Sequence, residues 1–569
     1  MRAAAALVAS LLTSLLAAQD PMPPAGGWNV GYFEYVPGGT NGALTWVDGV
    51  NTALDIYFPV ATPPASGWPI VVLVHGGEGT RKIPPIVHRA RRLAAVGYVC
   101  LAYDARGNGV TVTSNAPGFD LSDDAKLRDM AELMVRAPVL VPAATAADPT
   151  RVAVSGESMG GRHAYRAAAW SGQPLTAPIA PYTHMPTISA IAPRIAPLDP
   201  VTDQIPFGPL LINVIPAKGI VDRGPSDPGY APLVAEDFVG ATAQLANDPV
   251  RNYLPQLVTS TVPVLLTNCY EDHKHYIFPT VDALARLNPN MPVRTWWTTN
   301  GHSSASNDQE EAANDEAIRR WFDHHVKGRS NGVPLEPDSE AAYPPATRLD
   351  HVDPASHWRH ALAPAWPPPS TPVTFHLRHN GTALGLLSSA PAATEPSVVI
   401  DHVMTNASYT IVDFCNHNAN PGPVTANIAL DNESFSSPPL TAEFEIVGRP
   451  RFDATVDTDS GDFLITACLY SVMPNGNRKF ITGGTHGRRG ASAGVHQLSI
   501  ELDETAFVVP AGHRLALDLR NIAIFDWPGN PFIRTVPMFT PSSTRVRIDP
   551  ATPATLVLPQ RPRSHAFLT

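Results

Sequence analysis

The sequence predicts a doubly wound α/β domain followed by an all-β sandwich domain. The chain has 569 residues, which is too long for a single core. From about residue 28 to residue 330, short apolar runs rich in branched residues alternate with helical stretches, as in a parallel sheet covered on both faces. From about residue 373 onward, helical periodicity ends and turn residues separate strand-like runs, which indicates a sandwich.

The predicted domain boundaries follow these changes. The α/β domain is placed at residues 19–332, and about residues 200–260 of it break the strand–helix alternation. We expect that stretch to be an insertion that acts as a lid over the carboxyl edge of the sheet. Residues 333–372 carry many prolines and no clear period, which is typical of a linker or a surface arm. The sandwich is placed at residues 373–569.

Composition limits the class of protein. Apolar residues make up 44% and charged residues 16%, as in an ordinary folded protein, so a disordered chain is not expected. The net charge of −11 is spread along the chain without a basic run, so nucleic acid is not an expected partner.

The amino terminus has the pattern of a secretory signal peptide over residues 1–18. Arg2 precedes an apolar run that ends in small residues and is short for a membrane span. We therefore expect a secreted or periplasmic protein with no membrane association after cleavage. The alternative is an uncleaved membrane anchor.

The four cysteines allow more than one state. Export permits disulfides, and Cys415 and Cys468 lie in the same predicted domain, so these two could pair. Cys100 lies in an apolar strand and is expected to be a buried free thiol. No CxxC spacing suggests zinc.

A serine between glycines is the first candidate for chemistry. The run "VAVS" reads as a strand, "GESMG" as a turn and "GRHAYRAAA" as a helix, with Ser158 at the corner. This is the layout of the nucleophile elbow in α/β-hydrolases, where the strained turn and the packed helix leave no room for side chains beside the serine. The alternative is a plain glycine turn with a solvated serine.

The partners of such a serine should follow in the order acid, then histidine. Asp272 comes just after the apolar strand "VPVLLTNC", with Glu271 as the weaker rival. His302 follows the next strand-like run, "RTWWTT". Asp272 would orient His302 and stabilise its cation, and His302 would take the proton of Ser158.

The "EDHKH" cluster has a second interpretation. Asp272, His273 and His275 could ligate a metal, but no HExxH or similar partner motif accompanies them. We therefore expect no metal and no cofactor, and His273 and His275 to be surface or packing histidines.

An oxyanion hole needs backbone donors. One expected donor is the N–H of Met159, the residue after the nucleophile. The second is the N–H of Gly77 or Glu78, in the loop "HGGEG" after the strand "IVVLV". The alternative is a simple glycine-rich turn. Asp104 and Arg106 of "YDARGNG" could pair to hold a neighbouring loop.

At this point the chain resembles the cocaine-esterase / X-prolyl dipeptidyl-peptidase family of serine hydrolases. The matching stretches are "DARGNG", "SGESMGGRHAYRAAA", "GHSS", "RRWFDHHVKG", "GRPRFDATVDTDSGDFLITACLYSVMPNG" and "VPAGHRLALDLRN". The resemblance implies an α/β-hydrolase domain, a C-terminal jelly roll and, by position, the triad Ser158, Asp272 and His302. It implies hydrolysis of esters or amides, including X-Pro peptides. The family's tyrosine after the strand that here ends in "VHGGEG" is missing.

These observations predict an exported serine hydrolase that cleaves a carboxylic ester or acyl amide through an acyl-enzyme intermediate. Its substrate would be a small-molecule ester or a short peptide. The first alternative is an X-prolyl dipeptidyl-peptidase, for which the sequence identifies no acidic group to hold the substrate amine. The second is a non-catalytic protein that binds carbohydrate or a surface, because lectins also use jelly rolls.

Overall fold

The computed structural model describes residues 22–113, 124–206, 211–299, 301–302, 308–344, 359–417, 420–490, 492–526 and 531–561. The predicted signal peptide, residues 1–18, lies outside the described residues. Across the described residues, no helix combines the length and the apolar character needed to cross a membrane.

The first part of the chain is a mixed sheet with helices on both faces. Its strands are β1 (Val30–Tyr35), β2 (Leu44–Thr45), β3 (Asn51–Thr52), β4 (Leu54–Pro59), β5 (Trp68–Val74), β6 (Val99–Tyr103), β7 (Ala147–Glu157), β8 (Pro174–Ile179), β9 (Tyr182–His184), β10 (Ala190–Arg194), β11 (Val264–Cys269), β12 (Val293–Thr298), β13 (Ser339–Tyr343) and β14 (Arg359–Ala363). Its helices are α1 (Pro84–Ala95), α2 (Asp124–Leu140), α3 (Met159–Ala169), α4 (Pro200–Gln204), α5 (Val214–Arg223), α6 (Tyr230–Val234), α7 (Phe238–Asn247), α8 (Leu254–Leu257), α9 (Phe278–Leu284) and α10 (Asp308–His325).

Ten of these strands form one sheet in the order β1-β4-β6-β5-β7-β10-β11-β12-β13-β14. The strands from β6 to β13 in that order run parallel, and the outer strands pair antiparallel. The carboxyl ends of parallel strands meet at one edge, where α/β folds place their sites. Ser158, Asp272 and His302 follow β7, β11 and β12 in sequence and therefore reach this edge.

Burial on both faces explains the continuous apolar strands. All seven residues of β5 are buried. Ile70, Val72 and Val74 pack in one core cluster, and Val71 and Leu73 pack in another. Successive side chains of a strand point to opposite faces, so both faces of the sheet are covered. The prediction of a doubly wound α/β fold is confirmed.

The stretch expected to be an insertion holds five short helices, α4 to α8. Asp199 caps the amino terminus of α4: its carboxylate accepts hydrogen bonds from the N–H groups of Val201 and Thr202. Asn213 caps α5 in the same way through the N–H of Ile215. These helices connect β10 to β11, two strands that are neighbours in the sheet.

The stretch 333–372, expected to be a linker, contributes regular structure within its described residues. β13 pairs parallel with β12, and β14 pairs antiparallel with β13, so this stretch extends the first sheet. Local sequence patterns do not reveal these two strands among the prolines, because β13 pairs with β12, which lies in a distant part of the sequence.

The C-terminal part is an all-β domain, as predicted. Its strands are β15 (Thr371–His379), β16 (Leu384–Leu387), β17 (Glu395–Met404), β18 (Ile428–Ala429), β19 (Asn432–Ser436), β20 (Phe444–Gly448), β21 (Arg451–Thr458), β22 (Phe463–Val472), β23 (Arg478–Arg488), β24 (Gly494–Glu501), β25 (Thr505–Val509), β26 (Arg514–Arg520), β27 (Ile524–Phe525), β28 (Phe532–Ile533), β29 (Ser542–Ile548) and β30 (Thr555–Gln560). Fourteen of the described strands join in one hydrogen-bonded network around a separate apolar core, and β27 pairs with β28. Their pairing is antiparallel except between β16 and β19.

Two helices interrupt this domain where only strands were expected. They are α11 (Ile411–Asn416) and α12 (Pro421–Asn427). Both pack against the inserted helices of the first domain: Phe414 and Val424 share a buried cluster with Val214, Ile220 and residues of β28. The inserted helices and the C-terminal domain therefore have a common core.

The possible disulfide between Cys415 and Cys468 does not form. All four cysteines are free and buried. Cys415 lies in the cluster shared with the inserted helices, and Cys468 lies on β22 against Phe525. Cys100 is a buried free thiol, as predicted, and burial raises its pKa above the usual range.

Candidate active site

Ser158 stands at a strained corner between β7 and α3. Its backbone has φ 53° and ψ −113°, a conformation that residues with a side chain rarely adopt. The Ser158 N–H donates to the carbonyl of Arg194 at the end of β10, at 2.9 Å. Strain of this kind persists only where the surroundings enforce it and is common at functional sites.

The glycines around Ser158 are required by close backbone contact. A Cβ at Gly156 would lie 2.5 Å from the carbonyl oxygen of Val74, and one at Gly160 would lie 2.0 Å from the same atom. A Cβ at Gly161 would meet Arg194 and Ala196 at 2.7 Å. These distances are too short for any side chain, so the glycines allow α3 to start directly against β5 and β10.

Asp272 follows β11 and is fully buried. The N–H groups of Lys274 and His275 donate to its Oδ1 at 2.7 and 3.1 Å. These two bonds fix the carboxylate, and both of its oxygens face His302. The Oδ1 and Oδ2 atoms lie 2.9 and 3.0 Å from His302 Nδ1.

His302 lies between the carboxylate and the serine. Its Nε2 is 3.0 Å from Ser158 Oγ. Because Nδ1 donates to the carboxylate, Nε2 is left as the acceptor for the serine hydroxyl. The structure thus brings together Ser158, His302 and Asp272, which are far apart in the sequence, in one hydrogen-bonded chain.

Burial and mutual charge set the ionisation of this chain. Burial alone would raise the pKa of Asp272, but the charge of His302 and the hydrogen bond from it outweigh burial and hold the pKa well below its usual range. Burial lowers the pKa of His302 below 6.5, and Asp272 offsets only part of this effect. The lowered pKa favours the neutral imidazole, which can accept a proton, and Asp272 stabilises the imidazolium once it forms.

Glu271, the rival acid, points to the other domain. Its Oε1 lies 3.2 Å from Nζ of Lys479 on β23, and both side chains are buried. It forms no hydrogen bond with His302 among those described. The geometry favours Asp272 as the partner of the histidine.

His273 and His275 are buried, not on the surface. Their rings lie 5.8 and 5.1 Å from the His302 ring, and Nδ1 of His275 is 2.8 Å from Asp203 Oδ2 on α4. Burial lowers the pKa of His273 to about 4. No group of side chains suited to hold a metal ion occurs among the described residues.

The three candidate N–H donors of the oxyanion hole differ in whether they already make a hydrogen bond. The N–H of Glu78 donates to Asn108 Oδ1 at 2.8 Å, and Glu78 has φ 60°. Within the described residues, the N–H groups of Gly77 and Met159 donate no hydrogen bond. The donor pair that the geometry favours is therefore Met159 with Gly77, because the Glu78 N–H already donates to Asn108.

Asp104 and Arg106 do not pair with each other. Asp104 accepts from Nη1 of Arg81 at 2.9 Å, and Arg106 contacts Asp129 and Asp48. Sequence proximity suggested the wrong partners, because each side chain reaches an element that lies elsewhere in the sequence.

A cavity of about 1020 Å³ opens above Ser158 and His302. Three parts of the chain line it: the sheet edge with its HGGEG loop, the inserted helices, and loops of the C-terminal domain. The lining side chains of the inserted helices include Val214, Ile215 and Leu245, and those of the C-terminal domain include His417, Pro531 and Phe532. Sequence analysis missed the C-terminal contribution, because no local motif marks these loops as part of a site.

Comparison with known proteins agrees with this architecture. The family model described as the X-Pro dipeptidyl-peptidase C-terminal non-catalytic domain matches residues 343–557. No curated protein matches the chain.

Several solved structures share both domains. An aminopeptidase from a marine sediment Thaumarchaeota archaeon has 13% identity and a TM-score of 0.63, over 95% of this chain and 98% of that chain. A CocE/NonD family hydrolase from Staphylococcus aureus has 13% identity and a TM-score of 0.61, over 94% and 97% of the two chains. An α-amino acid ester hydrolase has 14% identity and a TM-score of 0.61, over 95% and 98%.

These findings confirm the predicted resemblance to the cocaine-esterase / X-prolyl dipeptidyl-peptidase family, and with it the α/β-hydrolase fold followed by a β-domain. At such identities the solved structures establish the fold. The three proteins are two hydrolases and an aminopeptidase.

Proposed function

We propose that this chain is a serine hydrolase that cleaves a carboxylic ester through an acyl-enzyme intermediate. The observation that carries the proposal is the continuous chain from Ser158 Oγ to His302 Nε2, at 3.0 Å, and from His302 Nδ1 to Asp272, at 2.9 Å. Three side chains from three separate strand ends have no structural need to align in this way.

In the proposed first step, Ser158 Oγ attacks the substrate carbonyl while its proton passes to His302 Nε2. The buried Asp272 stabilises the imidazolium that forms and stays ionised, since its pKa lies well below the usual range. His302 then donates the proton to the leaving alkoxide. Water attacks the acyl-enzyme in the second half, and His302 again serves as the base.

The tetrahedral oxygen would be held by the N–H groups of Met159 and Gly77. Both residues line the cavity, and Met159 is the first residue of α3, where free N–H groups and the helix dipole favour negative charge. Gly77 replaces the hydroxyl that the resemblance would lead one to expect from a tyrosine.

The cavity supports a small-molecule ester or a short peptide as substrate. Its volume of about 1020 Å³ suits a compact ligand, and it mixes apolar and charged lining. The inserted helices would cover the substrate as a lid. We further propose that the enzyme acts after export, on the basis of the amino-terminal pattern.

One observation favours the dipeptidyl-peptidase alternative. The exposed Glu78 lines the cavity beside Gly77, and a carboxylate there could hold the free amine of a peptide substrate. The name of the matching C-terminal family model points the same way. A non-catalytic binding protein is less favoured, because it would not require the strained Ser158.

The test compares p-nitrophenyl butyrate with Ala-Pro-p-nitroanilide, using wild type and Ser158→Ala. We expect ester hydrolysis by wild type and none above background by Ser158→Ala. The control is Ser388→Ala, which changes an exposed serine of the C-terminal domain and should keep full activity. Full activity in Ser158→Ala would exclude the proposal, and turnover of the anilide alone would favour the peptidase. If wild type neither turns over a substrate nor reacts with a fluorophosphonate probe, the binding-protein alternative stands.

A further inference from the structure

The loop that carries the proposed catalytic acid is held from both domains. This acid loop, residues 270–277, connects β11 to α9. Its local hydrogen bonds, from the N–H groups of Lys274 and His275 to Asp272, shape the turn. Within its own domain, Tyr270 bonds to the end of β12, and Asp203 and Asn213 of the inserted stretch bond to the loop. The position of the carboxylate relative to His302 therefore depends on what holds the two ends of this turn.

Arg534 of the C-terminal domain binds both ends. Its Nη2 donates to the carbonyl oxygens of Asp272 and His275, the latter at 2.7 Å. The guanidinium also lies 4.2 Å from the centre of the Tyr276 ring, and the side chain is 1% exposed. The planar guanidinium can serve two acceptors at once because its donors diverge in a fixed geometry.

Asp503 completes the attachment. Its Oδ2 accepts from Arg534 Nη1 at 2.9 Å, and its Oδ1 accepts from the N–H groups of Ile277 and Phe278 at 2.9 and 3.0 Å. Thr535, next to Arg534, makes a further bond of 2.9 Å with the hydroxyl of Tyr276. The buried charge of Arg534 is thereby compensated, and the acid loop is bonded from Asp272 to Phe278.

We propose that Arg534, together with Asp503, is a positioning residue that holds Asp272 against His302 from the C-terminal domain. Both residues lie within 343–557, the range matched by a family model described as non-catalytic. The inference rests on the proposed function, since it concerns the acid of the proposed triad. It gives the C-terminal domain a part in catalysis although it supplies no reacting group.

The decisive variant is Arg534→Lys, which keeps the positive charge but loses the divergent donors. The single ammonium nitrogen cannot occupy the positions of both Nη1, which binds Asp503, and Nη2, which binds the two carbonyls, so the turn should shift. A displacement of about 1 Å can cost about 100-fold in rate. We expect kcat for p-nitrophenyl butyrate to fall by about 100-fold, with KM within about twofold of wild type.

The pH profile separates positioning from general destabilisation. Asp272, His275 and Lys274 of the acid loop act on the charge of His302, and the His273 ring of the same loop lies 5.8 Å from the His302 ring. Asp272 raises the pKa of His302 against burial, so a displaced Asp272 lets that pKa fall further. The acid limb of the pH profile, where kcat/KM rises with pH as His302 loses its proton, should move to lower pH in Arg534→Lys. A merely less stable protein would keep the limb at the wild-type position.

Arg449→Lys is the matched control. Arg449 also bridges the domains, with hydrogen bonds to Asp282 of α9, to Glu501 and to Glu504, and its guanidinium lies 5.2 Å from the centre of the Phe278 ring, but it makes no described hydrogen bond to residues 270–277. We expect its kcat to stay within about twofold of wild type even if its melting temperature falls. If Arg534→Lys does not fold, Asp503→Asn tests the same attachment, with a fall in kcat and a limb shift in the same direction.

A fall in kcat below about tenfold, or an acid limb at the wild-type position, would overturn the positioning role. Wild type and Ser158→Ala are measured in the same series. Inactive wild type, or active Ser158→Ala, would instead reject the proposed function. Active wild type with inactive Ser158→Ala and fully active Arg534→Lys would reject only the positioning role.

Discussion

Replacing Asp272 with asparagine should reverse the hydrogen-bond direction at His302. The Oδ1 atom of Asp272 accepts from the N–H groups of Lys274 and His275, so the amide oxygen of the asparagine must take that place. The NH₂ group then occupies the position of Oδ2, 3.0 Å from His302 Nδ1. It can only donate there, so its contact with Nδ1 favours the tautomer with the ring proton on Nε2, against the amide oxygen that stays 2.9 Å from Nδ1.

A proton on Nε2 disables the base. Nε2 lies 3.0 Å from Ser158 Oγ and could no longer accept the serine proton. The same change in another Ser-His-Asp enzyme lowers kcat by about 10⁴-fold. We expect a comparable loss here, about 5 kcal/mol of transition-state stabilisation at 1.36 kcal/mol per tenfold.

The assay is steady-state hydrolysis of p-nitrophenyl butyrate, with KM and kcat measured separately. KM should change little, because Asp272 is buried behind His302 and does not line the cavity. The matched control is Glu271→Gln, which removes the pair with Lys479 and should leave kcat within about threefold of wild type. A loss below tenfold in Asp272→Asn, or a larger loss in Glu271→Gln, would refute the assignment of the acid.

Two further predictions concern protonation and thiols. Burial lowers the pKa of His302, and the base must be neutral to accept a proton. We therefore expect kcat/KM, measured by pH-stat titration, to rise with pH along a limb centred below 6.5 and to level off above it. A limb centred above 6.5 would contradict this. All four thiols should react with Ellman's reagent in denaturant without prior reduction, since the cysteines are free and buried; two reacting thiols would indicate a disulfide after all. In the native protein, burial should make all four slow to react.

Much of the fold could be predicted from local patterns. The continuous apolar runs of β5, β7 and β11 and the amphipathic α10 are readable because their periodicity reflects burial on two faces or on one. The outer strands β13 and β14 were not predicted as strands, since β13 pairs with β12, which is far away in the sequence. The helices α11 and α12 were hidden for the same reason: they are stabilised by packing against the inserted helices.

The candidate site, like the fold, has residues that local patterns predict and residues that only tertiary contacts identify. Ser158 was found from its glycines, which the sequence displays directly, and Asp272 and His302 from their order after strand ends. The oxyanion alternatives could not be separated, because only the bond from the Glu78 N–H to Asn108 distinguishes Glu78 from Gly77. The histidines of "EDHKH" were expected to be surface or packing histidines, and α4 and the C-terminal domain bury them as packing histidines.

By itself the sequence determined the class of fold, the corner that carries Ser158 and the order of its partners. These depend on periodicity, on glycine and on chain direction, all of which are local properties. The tertiary structure alone decided which carboxylate faces His302, which N–H remains open and how Arg534 of the second domain holds the acid loop. Such contacts join residues hundreds of positions apart, as from Arg534 to His275, and only the packing of two domains brings them within hydrogen-bond distance.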